Sequence, residues 1–147
     1  MYVMKLEKFK EIEHTADVGI QVTGSTLPET FANSAFGMYH ILCGKATVEG
    51  NLRNYISLRA DILSDLLVSW LGEINYLLSI NKFKAEKIKN LDIKKRYEQF
   101  ILEAELVGNE IENYKEFVKA EIKAVTYHQF EIKEIEEGYF AQVIFDI

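Results

Sequence analysis

The chain has 147 residues, of which 48% are apolar and 12% aromatic; this favours one folded domain over residues 1–147 and excludes a disordered tail. Its 17 basic against 23 acidic residues give a net charge of −6, which disfavours strong direct binding to nucleic acid. Cys43 is the only cysteine, so neither an internal disulfide nor a cysteine zinc site is expected. There is no run of about 18 apolar residues and no apolar stretch typical of a signal peptide, so we expect a cytoplasmic protein without a membrane span.

The first well-marked element is a helix that begins after Thr26. Thr26 can cap this helix, Glu29 can bond back to it, and Pro28 fits the first turn, where its missing N–H is harmless. Apolar residues then recur every three or four positions and form one stripe: Leu27, Phe31, Ala35, Met38, Tyr39 and Leu42. Gly44 is a typical helix end, so we predict a helix between Thr26 and Gly44.

A second helix is predicted over residues 61–78. Its apolar residues form a wide face: Ile62, Leu63, Leu66, Leu67, Trp70, Leu71, Ile74, Leu77 and Leu78. Asp61 and Asp65 lie near its start, where the helix dipole favours negative charge. A face of this width is typical of a helix packed on a sheet, and a partner-binding face is the alternative. Gly72 lies inside the helix, where a stronger helix former would serve better.

Elsewhere the apolar residues alternate with polar ones, the period that is typical of β-strands. Predicted strands cover residues 9–14, 18–23, 54–59, 83–88, 100–107, 122–132 and 139–147. The last is apolar on most of both faces, which predicts a central, buried position. Two helices in the first half and a strand-rich second half predict an α+β fold, in which an antiparallel or mixed β-sheet packs with two main helices.

Two side chains are expected to be buried in this framework. His128 shares the strand parity of Ile122, Ala124 and Phe130, so it should be at least partly buried and hydrogen-bonded. Cys43 is expected to be a small buried hydrophobe rather than a reactive thiol.

Common catalytic motifs do not occur in the sequence. It contains no P-loop, no glycine-rich dinucleotide motif, no nucleophile elbow and no His-Glu-x-x-His metal motif. Its three histidines, His14, His40 and His128, are scattered, and no pair has the helical spacing of metal ligands. The sequence therefore does not indicate an enzyme of these classes.

Two of the five aspartates occupy unusual positions. Asp17 lies between two β-type segments, and Asp146 ends the apolar run before Ile147. A carboxylate at the end of such a strand is costly unless it is paired or bound to a cation. With the terminal carboxylate on Ile147, these hard oxygen donors suit Ca²⁺ or Mg²⁺. The alternatives are a salt bridge from Asp146 to a lysine such as Lys123 and a turn that Asp17 stabilises through its own backbone. Spacing alone does not show that the two aspartates meet.

Four segments, in this order, resemble the archease family. They are EHTADVGI at residues 13–20, DLLVSWLGEINYL at 65–77, KAVTYH at 123–128 and VIFDI at 143–147. Together with the length, the resemblance covers essentially the whole chain. It implies a small acidic α+β protein that acts as an accessory factor rather than as a catalyst.

The resemblance also implies partners and a metal site. Archeases assist the RtcB-type RNA ligase of tRNA splicing by promoting its guanylylation and multiple turnover, and some members modulate a tRNA cytosine methyltransferase in a chaperone-like manner. The family binds a divalent cation, usually assigned as Ca²⁺. Carried over to this chain, the metal ligands are Asp17, Asp146 and Ile147, the last through a backbone or terminal oxygen. The same motifs place His14 and Lys123 near this site.

Three functions follow as hypotheses. The first is a metal-binding activator of an RNA ligase. The second is a metal-dependent phosphoester hydrolase, in which the same carboxylates hold the metal and His14 acts as the base; the lack of a nucleophile or phosphate-binding motif weakens it. The third is a chaperone-like modulator of a tRNA methyltransferase, in which the metal is structural.

Overall fold

A computed structural model describes residues 1–13 and 17–147. The helices and strands, in chain order, are β1 (Phe9–Glu13), β2 (Asp17–Gly24), α1 (Leu27–Cys43), β3 (Leu52–Ala60), α2 (Leu63–Ser79), β4 (Phe83–Arg96), β5 (Gln99–Glu110), the single turn α3 (Tyr114–Phe117), β6 (Ala124–Ile135) and β7 (Gly138–Asp146). The first predicted strand reaches His14, which lies outside the described residues.

The strands of the described residues form two antiparallel sheets. One sheet has the order β1-β2-β7-β6, and the other has the order β3-β5-β4. β7 is an interior strand. Ala141, Val143 and Phe145 on one of its faces and Ile144 on the other are buried, as its two-sided apolar pattern predicts. Buried apolar side chains of both sheets and both long helices form one core. The predicted α+β class with antiparallel sheet and two main helices is confirmed, and the structure adds the division into two sheets.

α1 begins and ends where its local signals predict. The Thr26 hydroxyl oxygen accepts a hydrogen bond from the Glu29 N–H at 3.2 Å, and Gly44 ends the helix with a φ of 60°. The Glu29 side chain, however, accepts a hydrogen bond from the Ser25 hydroxyl at 2.6 Å. The predicted bond from Glu29 back to its cap is thus replaced by a bond to the residue before the cap.

α2 packs its apolar face into the core and against α1. The Trp70 side chain is fully buried, and its indole Nε1–H donates to the main-chain oxygen of Phe31 at 2.9 Å. The helix begins at Leu63, two residues later than predicted, so Asp61 precedes it and Ile62 is exposed. The wide apolar face is therefore mainly a core-packing face. No helix within residues 1–13 and 17–147 combines the length and the hydrophobicity that a membrane span needs.

Irregularities in β4 and β6 account for the main errors in the strand predictions. β4 continues to Arg96, well beyond the predicted end at Ile88. The prediction stopped early because it depends on alternation, which is interrupted by register shifts between Ala85 and Lys87 and between Lys89 and Asp92. In β6 the register shifts between Thr126 and Glu131, and Gln129 has a φ of 49°.

The expectation that His128 is buried is wrong. The residue lies within the register shift of β6, where the two-residue parity does not hold, and it is exposed. Its N–H donates to the Thr126 hydroxyl oxygen at 3.3 Å. Ala124, which was assigned to the same face, is also exposed.

The C-terminal half of α1 places two ionisable side chains in the core. The Tyr39 hydroxyl oxygen accepts a hydrogen bond from the Ala85 N–H at 3.1 Å, and Cys43 is fully buried, as expected. Burial raises the pKa of Tyr39 well above its ordinary value and raises the pKa of Cys43 to about 11. Both pKa values are therefore higher in the folded than in the unfolded protein.

The free energy of unfolding is expected to fall as the pH rises from about 9 to about 11. The unfolded chain releases the Cys43 proton near its ordinary pKa of 9.0, whereas the folded protein holds this proton until about pH 11. Each pH unit in this window lowers stability by up to about 1.4 kcal/mol. Urea unfolding between about pH 8 and 10 measures the free energy of unfolding at each pH. This free energy should fall less steeply with pH in Cys43→Ala than in the unchanged protein, whereas Tyr39→Phe should alter its pH dependence only above about pH 10. An equal pH dependence of the free energy of unfolding in Cys43→Ala and in the unchanged protein would contradict this account.

Candidate metal centre

The two singled-out aspartates are direct neighbours across the first sheet. β2 begins at Asp17, β7 ends at Asp146, and the antiparallel register places these two residues opposite each other. The Cβ atoms of residues opposite each other in an antiparallel pair lie about 4.5–5.5 Å apart. The register therefore brings together two carboxylates from the beginning and the end of the described chain.

Both carboxylates lie on the outer face of this sheet. Successive side chains on a strand point to opposite faces, and the intervening Val18, Ile20 and Val22 are buried on the core face. Two rungs along the outer face, the Gln21 amide Nε2 donates to Gln142 Oε1 at 2.8 Å. Side chains opposite each other on this face thus do meet, and Asp17 and Asp146 form the last rung.

Gly19 permits the close packing of the strands beside this rung. A Cβ at Gly19 would lie 2.6 Å from the Cδ1 atom of Ile144 and 2.8 Å from the main-chain oxygen of Val143. Ile144 is buried although it points to the outer face, because it fills the space above Gly19. A side chain at Gly19 would push apart the strands that position the two aspartates.

β6 contributes a third position to the last rung. Ala124 is the β6 residue opposite Asp146, and its side chain is small and exposed. The neighbouring Lys123 N–H donates to the main-chain oxygen of Asp146 at 2.7 Å, which ties this end of β7 in place. Ile147 follows the strand and is 44% exposed. The row Asp17, Asp146 and Ala124 therefore leaves room beside the carboxylates.

Within residues 1–13 and 17–147, no basic side chain balances the charges of this rung. Like charges directly opposite each other in a sheet are destabilising. In the part of the chain that the structure describes, no lysine or arginine forms an ion pair with either aspartate. The alternative salt bridge between Asp146 and Lys123 is therefore not formed. The alternative turn at Asp17 involves residues 14–16, which lie outside the described ranges, as does His14.

These residues fit a hard divalent cation. Carboxylate and main-chain oxygens are the ligands that Ca²⁺ and Mg²⁺ prefer, and Asp17, Asp146 and the main-chain oxygen of Ile147 can supply them. Across residues 1–13 and 17–147, no group of three or more His, Cys, Asp or Glu side chains is arranged to hold a metal. Two carboxylates and one main-chain oxygen fill only part of the six to eight positions of a calcium shell, which leaves positions for water or for a partner protein.

Residue type and motif had singled out the two aspartates, but Ala124 was missed as a member of the site. It was assigned by parity to the buried face of its strand. The only signal that could have found it is the β6–β7 register, which the sequence does not display.

Proteins that resemble this chain share its length and fold. The model of the Archease protein family matches residues 9–147. Protein archease from Methanosarcina acetivorans is 32% identical over 141 residues, which are 96% of this chain and 97% of that protein. A solution structure of Methanobacterium thermoautotrophicum protein 1598 has a TM-score of 0.81 at 26% identity and covers 97% of this chain and 100% of its own.

A second solved structure shows the same fold. The crystal structure of an archease from Thermotoga maritima, described as a possible chaperone, has a TM-score of 0.59 at 19% identity and covers 94% of this chain and 96% of its own. The family model spans nearly the whole described chain, including both carboxylates of the last rung. This chain therefore belongs to the archease protein family.

Proposed function

We propose that this protein is a cytoplasmic, metal-binding accessory factor that activates an RtcB-type RNA ligase of tRNA splicing by promoting its guanylylation and multiple turnover. Its metal ligands are Asp17, Asp146 and Ile147, and its cation is Ca²⁺. The observation that carries the proposal is the rung on which Asp17 and Asp146 lie opposite each other without a basic partner in the described chain.

The incomplete ligand set suits a factor that acts together with another protein. A cation held by two carboxylates and one main-chain oxygen has positions left for groups of the ligase or its nucleotide. Transfer of a nucleotidyl group needs neutralisation of phosphate charge, which is the chemistry a bound divalent cation supplies. Asp146 is exposed and Asp17 is partly exposed, so a partner can approach the carboxylates.

The net charge supports a protein partner. A chain with a net charge of −6 is attracted to the basic surface expected of an RNA ligase, and electrostatic complementarity of this kind accelerates association. The same charge disfavours competition for the ligase's RNA substrate.

The test is guanylylation of the RtcB-type ligase by labelled GTP, with and without this protein. The unchanged protein should raise both the guanylylated fraction and the number of ligation turnovers. Asp17→Asn and Asp146→Asn should lose most of this stimulation, by at least about tenfold, because they remove the charge that holds the cation. Ala124→Lys should also lose it, because its ammonium group would lie beside Asp146 and compete with the cation.

The control is Asp92→Asn, which removes an exposed carboxylate of β4 that pairs with Lys94. It should stimulate like the unchanged protein. Full stimulation by well-folded Asp17→Asn and Asp146→Asn would refute the proposal. Phosphoester turnover by the isolated protein, lost in both variants, would instead support the hydrolase hypothesis.

A further inference from the structure

A second surface feature lies beside the carboxylate rung, at the C-terminal end of α2. Two adjoining depressions, of about 610 and 430 Å³, lie between the last turns of α2 and the segment of residues 114–123. They share Ser79, Ile80, Tyr114 and Glu121 as lining residues, so they form one continuous surface. We name this surface the α2 groove.

The floor of the α2 groove is apolar and accessible. Tyr76 is 53% exposed and Ile80 is 61% exposed, although both are large hydrophobic residues. Tyr114 and Val118 line the opposite side, where they are partly buried against the core. Large apolar side chains grouped on a concave surface are typical of a protein interaction site rather than of a solvated face.

Gly72 is a second, independent feature of the α2 groove. Gly72 and Tyr76 are four residues apart on one stripe of α2, and Ile80, the C-cap residue with helical dihedral angles, continues this stripe. Glycine destabilises a helix interior relative to alanine. Among the described residues, and apart from the two chain neighbours and the surrounding helix backbone, no heavy atom lies within 4 Å of the position that a Cβ would take at Gly72. Packing within the described chain therefore does not require a glycine there, whereas an occupant of the groove that approaches the helix backbone closely would.

The rim of the α2 groove is positively charged. Its charged lining residues are four lysines and one glutamate: Lys82, Lys115, Lys119, Lys123 and Glu121. The rim thus has a net charge of +3, on a chain whose net charge is −6. Within the described ranges none of the four lysines forms an ion pair with a carboxylate. The Lys82 ammonium group donates to the main-chain oxygen of Ser79 and lies 4.0 Å from the centre of the Tyr114 ring, whereas the charges of Lys115, Lys119 and Lys123 are available to a partner.

From this apolar floor, the uncovered glycine and the positive rim, we infer that the α2 groove docks an acidic, amphipathic segment of the partner protein. Apolar side chains of the segment pack on Tyr76 and Ile80, its backbone passes close to Gly72, and its carboxylates face the lysines. An amphipathic segment in a hydrophobic groove is a recurring mode of peptide recognition. The inference rests on the proposed function, since the partner is the ligase.

The position of the groove agrees with this assignment. Lys123 lines the groove, and its N–H donates to the main-chain oxygen of Asp146, so the groove adjoins the carboxylate rung. A partner segment docked in the groove would hold the ligase next to the cation ligands. The groove would then supply affinity and position, and the rung would supply the cation.

Overlapping 20-residue fluorescent peptides that span the ligase sequence test the inference by anisotropy with the full chain. Peptides that bind should combine acidic residues with apolar ones, and their affinity should fall as salt is added. Lys115→Glu/Lys119→Glu and Gly72→Leu should each weaken binding at least tenfold. Both changes lie on the surface, and thermal unfolding would show that the variants fold. Lys94→Glu/Lys95→Glu on β4 is the matched control and should bind like the unchanged protein.

Several results would overturn the inference. One is equal peptide affinity in the folded groove variants and in the control. The inference would also be wrong if only basic peptides bound, or if the groove bound an oligoribonucleotide in preference to the peptides. A concentration-dependent dimer of this protein that the groove variants abolish would likewise contradict it.

Stimulation of the ligase separates this inference from the proposed function. Groove variants should need at least tenfold more protein for half-maximal stimulation and should reach the same maximum, whereas Asp17→Asn should lower the maximum itself. If the groove variants reached half-maximal stimulation at the same concentration as the unchanged protein, the inference about the groove would be wrong and the proposed function would stand. If the unchanged protein did not stimulate the ligase, the proposed function would be wrong. Peptide binding in the groove could still be measured, because the anisotropy experiment does not depend on stimulation.

Discussion

Replacing both carboxylates of the last rung is expected to leave the protein at least as stable as the unchanged protein without a divalent cation, but less stable than it with Ca²⁺. Without a divalent cation, the double variant Asp17→Asn/Asp146→Asn should be as stable as the unchanged protein or more stable by about 0.2–1 kcal/mol, because the repulsion between opposite like charges is removed. With Ca²⁺, only the unchanged protein should gain stability, since only its folded state binds the ion.

The expected gain is large enough to measure by thermal unfolding. At a cation concentration of about 100 times Kd, binding stabilises the folded state by about 2.7 kcal/mol. For a chain of this size, that is a rise in Tm of roughly 5–10 °C. Asp92→Asn, on the other sheet, should show the same rise as the unchanged protein. An equal rise in the double variant would show that the cation binds elsewhere, and a large loss of stability without any cation would indicate that the carboxylates are structural.

Trp70→Ala should cause the largest loss of stability among single changes of a side chain. The Trp70 side chain is fully buried between the helices and the core, and its indole N–H donates to the Phe31 main-chain oxygen at 2.9 Å. Truncation of a buried tryptophan to alanine lowers the free energy of unfolding by about 3–5 kcal/mol. Urea unfolding followed by circular dichroism measures the loss, because Trp70 is the only tryptophan and the variant has no indole fluorescence.

Two further variants divide this loss into its causes. Trp70→Phe keeps most of the apolar volume but lacks the N–H donor, so it should lose less, about 1–3 kcal/mol. Tyr76→Ala, further along α2 and 53% exposed, should change stability by less than about 0.5 kcal/mol. A small effect of Trp70→Ala, close to that of Tyr76→Ala, would contradict the packing described for α2.

The helices were predictable because their signals are local. Thr26, Pro28 and Gly44 determine where α1 begins and ends through bonds and dihedral angles within a few residues. The strands were less predictable where their alternation is interrupted. His128 lies in the register shift that includes Gln129, so it is exposed rather than on the expected buried face. No residue type in that segment predicts the shift.

The candidate metal centre shows the same division. The residue types at Asp17 and Asp146 and the resemblance to the archease family singled out these two aspartates. Their meeting depends on the register of β2 with β7, which links residues far apart in the chain, and on Gly19, which lets these strands pack closely. Ala124 was missed because only the pairing of β6 with β7 places it opposite Asp146.

The fold class, the two long helices and the choice of the two aspartates were thus already contained in the order of the amino acids, since periodicity, capping and residue chemistry act over short distances. Tertiary structure decided how the strands divide into two sheets and which residues lie opposite Asp146. It also decided that Lys82 and three lysines of the segment 114–123 line the same groove as Tyr76 and Ile80. Strand pairing and packing are the physical reason, because they join residues that no local pattern connects.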